Sequence, residues 1–197
     1  MRVLVGTTNP GKLREILHIL ADIPGIEWLT PRDIPCPEVA ETGATLTSNA
    51  ILKARTIAAA TGYPTLAEDS GLEVDALDGA PGVHSARYAG ELADHAANNR
   101  KLLAALADTS ERRARFRAVA VLALPDGRFW TAEGFLNGQI AREPRGGGGF
   151  GYDPLFIPAG ETRTLAELGL EEKDTLSHRR RALDGLRPVL AALARSG

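Results

Sequence analysis

Thr7-Thr8-Asn9-Pro10-Gly11-Lys12 follows an apolar run, Val3-Leu4-Val5-Gly6, and leads straight into residues with helical periodicity. Two hydroxyls, an amide, backbone N–H groups and an ammonium thus gather at a helix N-terminus, where the helix dipole and unpaired amides favour an anion. Such a loop suits phosphate. Gly6 to Lys12 also fits the start of G-x-x-x-x-G-K-[ST], but Leu13 stands where that motif places a magnesium-holding hydroxyl. A P-loop phosphotransferase is disfavoured on that ground, and metal ligands must come from elsewhere. The alternative is an ordinary strand-to-helix turn in which Gly11 supplies backbone freedom.

Asp69 is the second focus. It lies where an apolar strand runs out into Ser70-Gly71, the place where a carboxylate reaches a ligand. Strand neighbours face opposite ways, so Glu68 and Asp69 cannot both ligate one ion unless the chain turns between them. Asp69 takes the inward role, with Glu68 a possible second ligand; a solvated acidic turn is the competing reading. Glu41 precedes a helix on which Asn49 and Lys53 are one turn apart on one face. Lys53 either reaches a phosphate over the helix edge or snorkels from an amphipathic surface. Magnesium takes oxygen ligands and is held by one or two carboxylates plus substrate phosphates, a description that Glu41 and Asp69 fit.

Gly146–Gly149 runs into Phe150-Gly151-Tyr152-Asp153. The glycines permit close backbone approach, and the two rings offer flat surfaces for a nucleobase. A plain flexible loop would account for the glycines alone. Near the carboxyl end, Lys173 precedes Ser177-His178-Arg179. His178 and Arg179 supply donors suited to purine carbonyls, and Lys173 an ammonium suited to phosphate. Basic residues in a first helical turn oppose the dipole, which favours a ligand there over a merely solvated helix start.

These groups need a scaffold, and the hydrophobic pattern supplies one. Residues 2–6 read as a buried strand, then a helix from Gly11 to Asp22 with Leu13, Ile16, Leu17 and Leu20 as its apolar stripe. A short strand at Ile26–Leu29, a Pro-rich connection and a helix from Thr45 to Ala60 follow. Thr65–Ala67 and Leu72–Val74 read as strand segments flanking Glu68–Gly71, and Asp94–Ala107 as a helix. Phe116–Leu124 and Phe129–Phe135 form a hairpin around Pro125-Asp126-Gly127. The last helix opens at Ser177, a good N-cap, and Pro188 should kink or restart it. The mixture implies an α/β protein with added antiparallel strands.

Composition narrows the partners. With 197 residues, 44% hydrophobic and 24% charged, the chain has the makeup of one globular domain over 1–197, or of two lobes sharing a sheet. The net charge of −2 argues against nonspecific nucleic-acid binding, which needs a basic excess, but not against a small anion. Cys36 is the single cysteine, so neither an internal disulfide nor a cysteine-built zinc site forms. No stretch has the length of a membrane span and no leader pattern precedes the first strand, so a cytoplasmic protein is expected.

Taken together, the segments resemble the inosine triphosphate pyrophosphatases, the dITP/XTP or non-standard purine NTP pyrophosphatases. The likeness rests on TTNPGK at 7–12, ETG at 41–43, NAILKAR at 49–55, EDSGLEVDAL at 68–77, APGVHSARYAG at 80–90, GGFGYDP at 148–154 and EEKDTLSHR at 171–179. It implies an elongated mixed central sheet with flanking helices, two lobes around an active-site cleft, and a homodimer. It also implies Mg²⁺-dependent hydrolysis of a nucleoside triphosphate to monophosphate and pyrophosphate. By this resemblance Thr7, Thr8, Asn9, Pro10, Gly11, Lys12, Lys53 and Lys173 hold the triphosphate, with Ser70 beside them. Glu41 and Asp69 serve the metal, and Asp69 accepts the proton of attacking water. Phe150, Gly151, Tyr152, Asp153, His178 and Arg179 cradle the base and recognise its 6-keto group. Two positions depart from the pattern: Glu68, where relatives often have Asp, and Ser48, where some have Glu. A nucleotide-binding module without catalysis is the rival from another class, and it leaves Glu41 and Asp69 without a purpose.

Overall fold

The computed structural model describes residues 1–90 and 94–196. Its elements are β1 (Arg2–Val5), α1 (Pro10–Leu20), β2 (Glu27–Leu29), α2 (Leu46–Thr61), β3 (Thr65–Val74), α3 (His95–Ala105), β4 (Arg113–Ala123), β5 (Phe129–Ile140), β6 (Phe156–Pro158), α4 (Leu170–Leu176) and α5 (His178–Ser196). The strands form one mixed sheet in the order β2-β1-β3-β4-β5-β6. β1 pairs in parallel with β2 (Val3 opposite Trp28) and with β3 (Val5 opposite Leu66), while β5 and β6 are antiparallel. Parallel neighbours need helical crossovers, which α1 and α2 supply. The chain is therefore α/β, with a mixed sheet and flanking helices.

Contacts divide the chain into two compact units. The first comprises Met1–Asp69, Ala118–Gly134 and the stretch from Arg179 onward; the second comprises Ser70–Arg117 and Phe135–His178. In the first, β1 is covered on both sides, which is why its sequence is a continuous apolar run rather than an alternation. Val3 and Val5 join Leu66, Ala118, Ala120 and Leu122 in a core closed by Ile16, Ile19 and Leu20 of α1 and Ala182, Leu183, Leu186 and Leu190 of α5. Leu4, pointing the other way, meets Leu29 and Ile57 of α2. Helix α5 lies so close to β5 that a Cβ on Gly185 would come within 2.6 Å of the Ala132 Cβ. In the second unit, Leu72 and Val74 of β3 pack with Leu102 and Leu106, Phe116, Leu136, Ile140 and Phe156.

Several expectations are revised. β3 runs unbroken through Glu68-Asp69-Ser70-Gly71, joining the two strand segments expected on either side, and the competing reading of a solvated acidic turn does not hold. β6 and α4 carry too few residues to show a period, and the pattern did not reveal them. Helix α5 is continuous through Pro188. The hairpin turn is as expected, with Leu124 N donating to Arg128 O at 2.8 Å and Gly127 at positive φ.

Candidate active site

Asn9 starts α1. Its side-chain oxygen accepts from the amides of Gly11 (2.9 Å) and Lys12 (3.0 Å), while its own amide donates to Thr7 Oγ1 at 3.3 Å. Pro10 takes the first helical position, where its missing N–H costs nothing. The cap thus occupies two of the amides that the sequence reading offered to an anion. Lys12 Nζ, the hydroxyl of exposed Thr8 and the helix dipole are what the loop presents. Leu13, the residue that breaks the P-loop pattern, packs against the first unit's core, so its place is structural.

Lys12 brings the loop to β3. Its ammonium lies 3.2 Å from Glu68 Oε2 and 3.9 Å from Asp69 Oδ1. One cation therefore addresses both strand neighbours without the turn the sequence reading required. Glu68 uses its other oxygen on Arg179, whose Nη2 is 3.2 Å away, and Arg179 Nη1 donates to Glu15. The extra methylene of Glu relative to Asp gives position 68 the reach to serve Lys12 and Arg179 together. Burial works against the Arg179 charge, but the Glu68 and Glu15 carboxylates outweigh it and its pKa lies above the ordinary arginine value. Arg179, expected to read a base carbonyl, is 1% exposed and committed to two carboxylates. Glu15 escaped the sequence reading. The signal was an acid on the face of α1 that carries Ile19 one turn later, a core position where a charge needs a partner.

Glu41 and Lys53 complete this cluster, with Lys53 Nζ 2.5 Å from Glu41 Oε1. Both act on Asp69. Burial pushes the Asp69 carboxyl above its usual range; Lys12 and Lys53 pull it back in part, and Glu41 and Glu68 push it further up. A carboxylate raised by desolvation and by like charges is a candidate base. At Ser48, the second departure, the hydroxyl belongs to the capping box of α2 with Thr45, whose Oγ1 accepts from Ser48 N at 3.1 Å.

The second unit carries its own set. Asp153 Oδ2 accepts from the Phe150 amide at 2.8 Å and from Lys173 Nζ at 2.6 Å, and that ammonium is 5.0 Å from the Phe150 ring centroid. The turn needs glycine at position 149, where φ is +69° and a Cβ would sit 2.1 Å from Asp153 Oδ2. Gly151 O is held by Asn99 Nδ2 at 3.1 Å. Lys173, expected beside the triphosphate lysines, is in this unit an ion-pair partner under an aromatic ring. Tyr152 is not a free surface for a base: it is 4% exposed, its hydroxyl donates to Ser85 O at 2.8 Å, and burial pushes its pKa far up. His178 stacks on Phe116 with 4.8 Å between centroids. Phe150 is half-buried, and Ser70 opens the second unit's part of β3. Among the described residues no helix is long and apolar enough to cross a membrane.

Residues 3–189 match the model of the Ham1 family. The chain belongs to the Ham1 family. It is 53% identical over 192 residues to the dITP/XTP pyrophosphatase of Elusimicrobium minutum, covering 93% of this chain and 96% of that protein. With the dITP/XTP pyrophosphatase of Corynebacterium efficiens it shares 49% identity over 205 residues, covering 98% and 99%. A solved Ham1 protein from Coxiella burnetii superposes with a TM-score of 0.88 at 43% identity, over 98% of this chain and 99% of that one. The mixed sheet with flanking helices is thus the Ham1 architecture.

Proposed function

We propose that this Ham1 chain hydrolyses non-standard purine nucleoside triphosphates, ITP, dITP and XTP, to the monophosphate and pyrophosphate. The observation that carries the reading is the cluster of Lys12 and Lys53 with Glu41, Glu68 and a buried Asp69 whose carboxyl burial pushes above its usual range. Relatives named as dITP/XTP pyrophosphatases, similar over nearly the whole chain, support the substrate class.

The charges also support a divalent cation. Lys12, Lys53 and Arg179 face Glu15, Glu41, Glu68 and Asp69, three positive groups against four acidic ones. A triphosphate entering that field alone would meet net negative charge. Mg²⁺ is held by one or two carboxylates together with phosphate oxygens. Glu41 and Asp69 would hold it, and when bound it would neutralise phosphate charge and polarise the phosphorus under attack.

The chain's own residues do the remainder. Lys12 and Lys53 exchange carboxylate partners for phosphate oxygens and steady the departing pyrophosphate. Thr7, Thr8 and Gly11 line the turn that receives the phosphates. Asp69, kept proton-hungry by burial, orients a water and accepts its proton as that water attacks the α-phosphorus. Phe150 offers a face for the base, braced by Asp153 and Lys173. His178 provides a donor for the 6-keto oxygen, while Arg179, the next residue, is held by Glu15 and Glu68. Adenine, with an amino group at that position, leaves such a buried donor unpaired, which is the strongest form of rejection available to a binding site. The same reading includes a homodimer, a cytoplasmic location and no nucleic-acid partner.

A panel of ITP, dITP, XTP, GTP and ATP read by pyrophosphate release tests this. ITP, dITP and XTP should exceed ATP by about 100-fold or more in kcat/KM, the discrimination expected where a hydrogen-bonding site meets the wrong group. Equal turnover of ATP and ITP would contradict it.

A further inference from the structure

Glu41 is carried by residues 35–43, which contain neither helix nor strand, yet the metal role proposed for it needs a fixed carboxylate. Lys53 Nζ, 2.5 Å from Glu41 Oε1, cannot be the lasting anchor, because the proposed mechanism takes that ammonium away to a phosphate. One turn earlier on the same face of α2 is Asn49, 1% exposed, whose Oδ1 accepts from the Gly43 amide at 2.7 Å. We infer that Asn49 is a positioning residue: its side-chain oxygen clamps the Gly43 amide and so holds Glu41 in place for a divalent cation once Lys53 has turned to substrate.

Three observations carry this. First, the buried positions around Asn49 on α2 are Leu46, Ala50, Ala54, Ile57 and Ala58, so the helix packs an apolar face and a polar amide there brings nothing to the core. Second, Asn49 Nδ2 is buried and has no hydrogen-bond partner among the described residues. An orphaned buried donor is costly, and a residue selected for helix stability alone would not carry one. Third, the loop lies so tightly on the helix that a Cβ at Gly43 would be 2.6 Å from Asn49 Oδ1 and 2.2 Å from Ser48 Oγ. The glycine and the asparagine form one fitted contact, placed between the metal-site acid and the helix that bears Lys53.

The inference rests on the proposed metal role of Glu41, and its test separates the two. N49A and N49S remove the acceptor or shorten it beyond reach; N49D keeps an oxygen in the same place. Hydrogen exchange over residues 38–45 in the nucleotide-free protein should quicken about 10-fold or more in N49A and N49S and stay protected in N49D. Mn²⁺ affinity, followed by EPR with a non-hydrolysable α,β-bridged ITP analogue, should weaken about 10- to 100-fold in N49A and N49S, as for loss of other outer-shell supports, and likewise in E41Q. Wild-type exchange and wild-type Mn²⁺ affinity in N49A and N49S, with E41Q weakened, would overturn the clamp alone. Wild-type affinity in E41Q would overturn the metal role and the clamp with it. N49S serves if N49A does not fold.

Discussion

Arg179 and Glu15 form a fully buried ion pair that fastens the first turn of α5 to α1, across 164 positions of sequence. Glu68 takes the other side of the same guanidinium at 3.2 Å and passes its second oxygen to Lys12. A chain of alternating charge therefore leads from the first unit's interior to the loop proposed to hold phosphate. Removing one member leaves a charge in a place where water cannot repair it.

Glu15→Ala leaves Arg179 with Glu68 as its remaining acid. The expected loss is about 3 kcal/mol, near the low end for breaking a buried pair, or a fall of roughly 6–12 °C in melting temperature for a chain of this size. Glu15→Gln, which keeps an acceptor, should fall less. Thermal melts check both, and a fall within about 2 °C for the alanine variant would show that the pair contributes little.

Asp69→Asn should separate activity from stability. A carboxyl whose pKa is raised in the folded state binds its proton more tightly there than in the unfolded chain. The stability from that proton is present at low pH and is lost as pH rises from the ordinary value of 3.8 through the raised one. At neutral pH the ionised Asp69 thus costs stability, and the amide removes that cost. The variant should melt at or above the wild-type temperature near pH 7.5, with the advantage shrinking as pH falls into the carboxylate range. Its turnover should drop by about 10²–10⁴-fold, the contribution of a positioned base. A variant that melts lower at neutral pH while retaining its turnover would refute both halves.

Phe150 is the ring that the second unit braces, with the Asp153–Lys173 pair beneath it. Phe150→Ala should raise the KM for ITP by roughly 5- to 30-fold, as for about 1–2 kcal/mol of lost base stacking, with kcat changed much less. Steady-state kinetics decide it; an unchanged KM would take Phe150 out of base binding.

Chelation is expected to stop turnover without unfolding the chain. A cation held by one or two carboxylates together with phosphate oxygens would enter with the nucleotide. EDTA should abolish pyrophosphate release, leave the nucleotide-free melting temperature within about 2 °C, and be reversed by added Mg²⁺. Full activity in EDTA would remove the metal from the account.

Much of this was legible in the sequence because it is local. β1, α1, α2 and the Pro125-Asp126-Gly127 turn follow from periodicity and turn chemistry over a few residues. What was hidden depends on partners far apart in the chain. Glu15 looks like a surface acid until Arg179 is folded against it. Tyr152 looks like a base-stacking ring until Ser85 claims its hydroxyl. Glu68-Asp69-Ser70-Gly71 has the composition of a turn, and burial in the sheet overrides it. Local propensity shows the residue types but not the distant partners that claim them.

Asp69 is proposed to direct water onto the α-phosphorus of a deaminated purine nucleotide, with Lys12 and Lys53 steadying the pyrophosphate that leaves. Hydrolysis of ITP in ¹⁸O-labelled water, with products read by phosphorus NMR and mass spectrometry, tests it most directly. Attack at the α-phosphorus places one ¹⁸O in the inosine monophosphate and none in the pyrophosphate. Label in orthophosphate with a nucleoside diphosphate, or in the pyrophosphate itself, would contradict it.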